Sequence, residues 1–263
     1  MGTYAYVRKA IWKKTGKIVA IKTSRGSTSI TMLKNEFNLL KRLSDDNIIK
    51  VFEYLENKSK GEAYLIMEYF KGITLDEYIN ENGVLSEEDS KMIITCILSS
   101  IQYIHDLGIA HRDIKPENVL INEKKIIKII DFNISKSFLS QSFDSENRFR
   151  SVLFTQISSP LYCAPELKEQ WSYNESIDIW GAGTILFTML YGSFISHSLN
   201  KFKCVTERSC SIREIINSQT NITEIWKQFI LSLLSNSPDD RPTAEEALQL
   251  EWVRELNKDD SNY

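Results

Sequence analysis

The chain has 263 residues, enough for one large domain or two small lobes that share a cleft. Hydrophobic residues make up 42% and charged residues 25%, values that exclude disorder throughout. Lys and Arg number 32 against 35 Asp and Glu, and the resulting net charge of −3 gives no electrostatic reason to expect nucleic acid as the main partner.

Taken in chain order, the first elements read as strands. Tyr4, Tyr6 and Arg8 fall on one face, with Ala5, Val7 and Lys9 on the other. Residues Lys13 to Lys17 form a turn, and the β-branched run Ile18-Val19-Ala20-Ile21-Lys22 a second strand. From Thr31 to Leu43, apolar Met32, Phe37, Leu39, Leu40 and Leu43 predict one helix. Ile48 to Leu55 and Ala63 to Glu68 predict a hairpin across Asn57 to Gly61.

After Gly72 the pattern turns helical. Thr74 and Glu77 form a capping box at the start of one helix, and Ser86 caps a longer one carrying Ile94, Ile97, Leu98, Ile101 and Ile104 at helical spacing. Two short strands, Val119 to Ile121 and Ile126 to Ile130, flank a turn at Asn122-Glu123. Further helices are expected at about Asp178 to Tyr191, Thr223 to Leu234 and Thr243 to Leu256, the last with a Thr243/Glu246 capping box. The expected fold class is therefore α+β and bilobal: a small antiparallel β lobe with one helix (1–67), a connection (68–72), and a larger, mainly helical lobe (73–263).

The four cysteines (Cys96, Cys163, Cys204, Cys210) lack paired CxxC spacing, so neither a zinc site nor a disulfide framework is expected. No apolar run approaches the roughly 18 residues of a membrane span, and no signal-peptide core is visible at the N-terminus. A monomer in a cytoplasmic or nuclear compartment, without membrane partners, is the expectation.

Three separated segments carry chemistry. Lys22 lies on a strand, where its ammonium can meet phosphate oxygens. His111-Arg112-Asp113-Ile114-Lys115-Pro116-Glu117-Asn118 supplies a carboxylate and, five residues on, an amide oxygen. Asp131-Phe132-Asn133 supplies a second carboxylate just after a strand. Positioned phosphates, a divalent metal and a group that orients an attacking hydroxyl are what phosphoryl transfer needs.

With these segments in this order, the chain resembles the eukaryotic serine/threonine protein kinase family from Gly2 to about Trp252, nearly its whole length. The resemblance implies ATP and Mg²⁺ (or Mn²⁺) as ligands and protein Ser/Thr hydroxyls as acceptors. By it, Lys22 binds the α and β phosphates and pairs with Glu36, Asp113 accepts the hydroxyl proton, Lys115 neutralises charge near the γ-phosphate, and Asn118 and Asp131 hold metal. It also implies an adenine pocket of Val7, Ala20 and Leu120, with Met67 at the back and the Glu68 carbonyl and Phe70 amide bonding the base, and Gly72 letting the chain turn into the larger lobe. Ala164-Pro165-Glu166 matches the end of the activation segment, Glu166 pairing with Arg241, and Asp178-Ile179-Trp180-Gly181 matches the buried helix whose aspartate braces the catalytic loop. Thr155 stands at the position of an activating phosphothreonine, with Arg112 and Lys136 to receive it. Lys115 is the serine/threonine rather than the tyrosine pattern.

Several positions depart from that pattern. Counting back from Lys22 puts Gly2 and Ala5 at the second and third glycines of the phosphate loop and the first glycine before Met1, so the family's first strand is expected to be missing and an edge exposed. Asn133 replaces the glycine of Asp-Phe-Gly and is expected to imitate it at positive φ. Asp45-Asp46-Asn47 stands for His-Pro-Asn at a structural position. Thr74 and Thr188 occupy positions where kinases that favour upstream arginine carry glutamate, and only Glu117 is kept, so a strong basic-substrate preference is not expected. The clipped loop leaves a second reading, a pseudokinase acting as a binding or scaffold module; a small-molecule kinase of related fold fits Ala164-Pro165-Glu166 and Arg241 less well.

Overall fold

The computed structural model describes residues 6–137, 162–168, 174–198, 205–219 and 222–254. Strands β1 (Tyr6–Trp12) and β2 (Lys17–Arg25) form a hairpin whose turn is closed by the Thr15 and Gly16 amides, both donating to the Trp12 carbonyl at 3.0 and 2.8 Å. Gly16 takes φ 70° there, a value that costs glycine nothing. With β3 (Val51–Asn57) and β4 (Glu62–Glu68) the strands build one antiparallel sheet in the order β1-β2-β4-β3.

Helix α1 spans Ser27–Leu40, earlier at both ends than the expected Thr31 to Leu43. The buried stripe is set by Ile30, Leu33, Phe37 and Leu40, and Gly26 at φ 86° turns the chain into it. Ile48 does not belong to β3 as expected. It makes a parallel bridge to Ile129, while the Ile129 amide donates to the Asn47 carbonyl (2.7 Å) and the Ile49 amide to the Ile129 carbonyl (3.0 Å). The segment after α1 is thus bonded to the second half of the chain before it re-enters the sheet.

That half opens with β5 (Ile73–Thr74) and α2 (Leu75–Asn82), whose Thr74/Glu77 capping box is complete. Ser86 caps α3 (Glu87–Asp106), which buries Ile94, Ile97, Leu98, Ile101 and Ile104. Each such side chain contributes about 1.5–3 kcal/mol relative to exposure. Short strands follow: β6 (Ile109–Ala110), β7 (Val119–Ile121), β8 (Ile127–Ile129) and β9 (Lys136–Ser137), arranged as a β5-β7-β8 ribbon and a β6-β9 pair. Then come α4 (Pro165–Lys168), α5 (Ser176–Ser198), α6 (Val205–Ser218), α7 (Glu224–Leu233), α8 (Ala244–Gln249) and α9 (Glu251–Arg254). Gly192 at φ 81° kinks α5, and Leu250, extended at ψ 147°, splits the helix expected from Thr243 to Leu256 into α8 and α9. α6 is an element the sequence reading lacks. α5, with Trp180 and Phe187 fully buried, packs against α3.

The bilobal α+β class stands: a four-stranded antiparallel sheet with one helix, joined to a mainly helical half. Gly72 is needed where the chain passes close to β7. Its φ is not positive, but a Cβ there would lie 2.3 Å from the Ile121 carbonyl oxygen. The glycine lets two backbones touch.

Candidate active site

The site begins in the middle of β2. Lys22 pairs across the sheet with Val7 and Leu65 and points its ammonium beneath the sheet, where it is 7% exposed. Glu36, on the buried stripe of α1, receives it at 3.0 and 2.9 Å through both carboxylate oxygens. Asp131, arriving from beyond β8, receives the same ammonium at 2.9 Å. Burial works against the charge on Lys22, but the two carboxylates outweigh it and hold the amine above the usual lysine range. Burial also works against the charge on Asp131, and there Lys22 wins, keeping the carboxyl below the usual range. On Glu36 burial dominates and pushes the carboxyl up despite Lys22.

Asp131 itself occupies the left-handed region, at φ 67°, and Asn133 does not. This corrects the expectation for Asn133. The Ser135 amide closes a turn onto the Phe132 carbonyl (3.2 Å), and its two central residues need no positive φ. The short polar side chain of Asp tolerates the left-handed state where most residues do not.

The second group forms around Asp113. Lys115 donates to both of its carboxylate oxygens (2.9 and 2.8 Å), and the Asn118 amide nitrogen to its carbonyl (2.8 Å) and to Oδ2 (2.7 Å). With its nitrogen so committed, Asn118 turns its amide oxygen the other way. His111 is fully buried edge-on to Phe132 at 4.4 Å. Its Nδ1 accepts the Asp113 amide (3.2 Å) and its Nε2 faces the Ile130 carbonyl (3.1 Å), which fixes the tautomer with the proton on Nε2. It packs; it is not placed as a base.

Asp178 on α5 holds this loop from below. Its fully buried carboxylate accepts the His111 amide (2.8 Å), the Arg112 amide (2.7 Å) and a bond from His105 Nε2 (2.9 Å). Burial would raise this carboxyl, but the His105 hydrogen bond and charge lead the interactions that bring it below the usual range. Arg112 sits at φ 71°, a left-handed turn that the two amide bonds secure. His105, in the last turn of α3, is a residue the sequence reading missed; the only signal for it was a histidine at a helix C-terminus.

The positions expected to form an adenine pocket pair across the strands. Ala20 lies opposite Met67, Val19 opposite Glu68, and Leu120 opposite Lys128. Met67 is buried, while Val7, opposite Lys22 on β1, is 59% exposed. Phe70 follows β4 and packs against the core. The Glu68 carboxylate accepts the Lys50 amide (2.7 Å) and pairs with Lys128 Nζ (2.9 Å), a contact the sequence did not announce. Farther off, Glu166 and Arg241 form a bidentate pair at 2.7 and 2.8 Å, both side chains fully buried. Gly2, Ala5 and Thr155 lie outside the described residues, as does the side chain of Lys136.

The Asn118 amide oxygen and the Asp131 carboxylate are hard oxygen donors. Such a pair suits Mg²⁺, which binds one or two protein ligands and completes its shell with phosphates and water. Among the described residues no cluster of three or more His, Cys, Asp or Glu forms an all-protein cage, so the phosphates would have to contribute. Among the same residues no helix is long and apolar enough to cross a membrane.

Comparison with known proteins agrees with this geometry. A family model described as the protein kinase domain matches residues 1–253. Two probable myosin light chain kinases of Dictyostelium discoideum are similar along almost the whole chain. The first is 32% identical over 271 residues, covering 98% of this chain and 65% of that protein; the second is 31% identical over 268 residues, covering 98% and 82%. The chain therefore spans just under two thirds of the length of the first relative. A lysine, a glutamate and an aspartate joined in one cluster from three separated segments, and a match over 253 residues, lead to one conclusion: the chain belongs to the protein kinase family.

Proposed function

We propose that the chain is a serine/threonine protein kinase that moves the γ-phosphoryl group of ATP onto protein hydroxyls. The observation that carries this is the pair of assembled clusters, Lys22–Glu36–Asp131 above and Lys115–Asp113–Asn118 below. Lys22, held charged by its two carboxylates, binds the α and β phosphates of ATP. Asn118 and Asp131 hold Mg²⁺, which offsets phosphate charge when bound. The Asp113 carboxylate accepts the hydroxyl proton as the substrate oxygen bonds to the γ-phosphorus and the bond to the β-phosphate oxygen breaks, releasing ADP. Lys115, 2.8 Å from Asp113, places a second cation beside the transferring group. Lys115 two residues after Asp113 also supports Ser/Thr over Tyr as acceptor.

Radiolabelled ATP with a generic protein substrate tests the reading. Transfer by the wild-type chain, its loss in Asp113→Ala by at least a hundredfold, and label on phosphoserine or phosphothreonine after hydrolysis are expected. Label on phosphotyrosine overturns the acceptor class. Equal background from both proteins overturns catalysis and leaves a binding module.

A further inference from the structure

We propose that Lys128 is a positioning residue for the nucleotide, locking the roof of the adenine pocket to its floor through Glu68. This rests on the reading of the cleft as an ATP site. Lys128 lies in the middle of β8, three residues before Asp131 and directly across from Leu120 of β7. Directly opposed residues of an antiparallel pair share a face, so the ammonium rises from the side of the ribbon that carries the pocket floor. It meets the Glu68 carboxylate at 2.9 Å and the Ile48 carbonyl at 3.3 Å. Its side chain is 14% exposed, that of Glu68 27%.

Glu68 is tied on its other side. Its backbone amide donates to the Lys50 carbonyl (2.8 Å) and its carboxylate accepts the Lys50 amide (2.7 Å), so Glu68 holds Lys50 by both of its backbone polar groups. It also ends β4, where it pairs with Val19 of β2, the neighbour of Ala20 in the roof. One cation therefore joins three pieces, adding to the Ile48–Ile129 bridge and the Glu68–Lys50 bonds: the ribbon that carries Leu120, the segment that follows α1 and so carries the position of Glu36, and the strand end whose backbone faces adenine. An exposed ion pair is worth little, whereas one this sheltered, with a carbonyl and an amide completing its bonds, is geometrically defined. Loosening it changes the spacing between Ala20 and Leu120 while leaving Asp113, Lys115 and Asn118 untouched. The consequence belongs to nucleotide affinity and not to the transfer step.

The experiment measures KM for ATP, kcat and melting temperature for the wild type, Lys128→Met, Lys128→Arg and Glu68→Gln, together with direct titration of Mg-ATP. Lys128→Met is expected to raise KM for ATP roughly tenfold with kcat within about twofold, and Lys128→Arg to recover most of the loss, because the guanidinium can reach the same carboxylate. Glu68→Gln keeps an acceptor for the Lys50 amide and the backbone that faces adenine, stays folded, and is expected to raise KM severalfold. Combining it with Lys128→Met is expected to add little. KM unchanged in both Lys128→Met and Glu68→Gln overturns the proposal, as does a fall in kcat that exceeds the rise in KM. A wild-type chain that fails to bind Mg-ATP overturns the ATP reading itself, whereas variants that bind as the wild type does overturn only the role of Lys128.

Discussion

Three donors converge on the buried carboxylate of Asp178: the His111 and Arg112 amides and the His105 ring. The two amides belong to the turn that aims Asp113. Replacing one oxygen with an amide group turns a donor against donors, so Asp178→Asn is expected to cost about 2–4 kcal/mol, measured by denaturant unfolding. Activity should fall further than stability explains, because the Arg112 turn at φ 71° loses what holds it. The carboxyl titrates lower in the folded chain than in the unfolded one, so its contribution is fully present above the unfolded aspartate value of about 3.9 and is lost as pH falls towards the folded value. Asn does not titrate there. The stability gap between wild type and variant should therefore hold steady well above pH 4 and narrow below it. A gap that widens with acid would contradict the assignment.

At the scale of the element, α5 separates two glycines that look alike in sequence. Gly-to-Ala in a helix interior ordinarily gains up to about 1 kcal/mol. At Gly181 a Cβ would stand 2.6 Å from the Ile114 carbonyl oxygen and 2.7 Å from the Ile114 Cβ, in the loop that carries Asp113. At Gly183 it would meet side-chain atoms of Leu233 and Leu234 at 2.8–2.9 Å. Overpacking of this kind costs about 1–3 kcal/mol, more than the propensity gain. Both Gly181→Ala and Gly183→Ala are expected to lower the melting temperature, but only Gly181→Ala should lower kcat out of proportion, since only it pushes on Asp113's own loop. Which elements were legible in the sequence follows the same logic. Capping boxes at Thr74 and Thr243 and the apolar stripe of α3 are local signals, and they appear where expected. The start of α1, the transfer of Ile48 to β8 and the break at Leu250 are set by tertiary bonding, so periodicity misplaced them. Within the candidate site, motif order singled out residues that the fold gathers into two clusters, Lys22–Glu36–Asp131 and Lys115–Asp113–Asn118. Lys128 and His105 escaped it because a lysine on a strand and a histidine at a helix end read as ordinary surface residues until their partners arrive from elsewhere in the chain.

At the scale of the whole molecule, the fully buried Glu166–Arg241 pair ties separate parts of the helical half together. Arg241 bonds both oxygens of Glu166, donates to the Ser235 and Ser176 carbonyls at 2.8 and 3.1 Å, and lies 5.1 Å from the Trp180 ring centroid. It thereby gathers α4, the start of α5 and the turn after α7 around one guanidinium. Removing the cation strands a fully buried carboxylate, and Arg241→Ala is expected to cost about 3–5 kcal/mol, a third or more of the stability of an ordinary domain. In thermal unfolding that is a drop on the order of 10 °C. Lysine offers a point charge without the fork, so Arg241→Lys should recover only part of the loss. Replacing both partners with leucine should recover more than either single change, because no charge is then left without its counterpart. Salt separates this pair from surface pairs: the effect of Arg241→Ala should be the same at low and high ionic strength, whereas that of Lys14→Ala, whose side chain is 68% exposed beside Glu53, should be small and screened. The shape of the transition carries the last information. If the segment through Glu166 and the helices behind it are one cooperative unit, Arg241→Ala shifts a single melting transition downward. If they are separable, a new low-temperature transition splits off, and activity is lost there while the core of α3 and α5 stays folded.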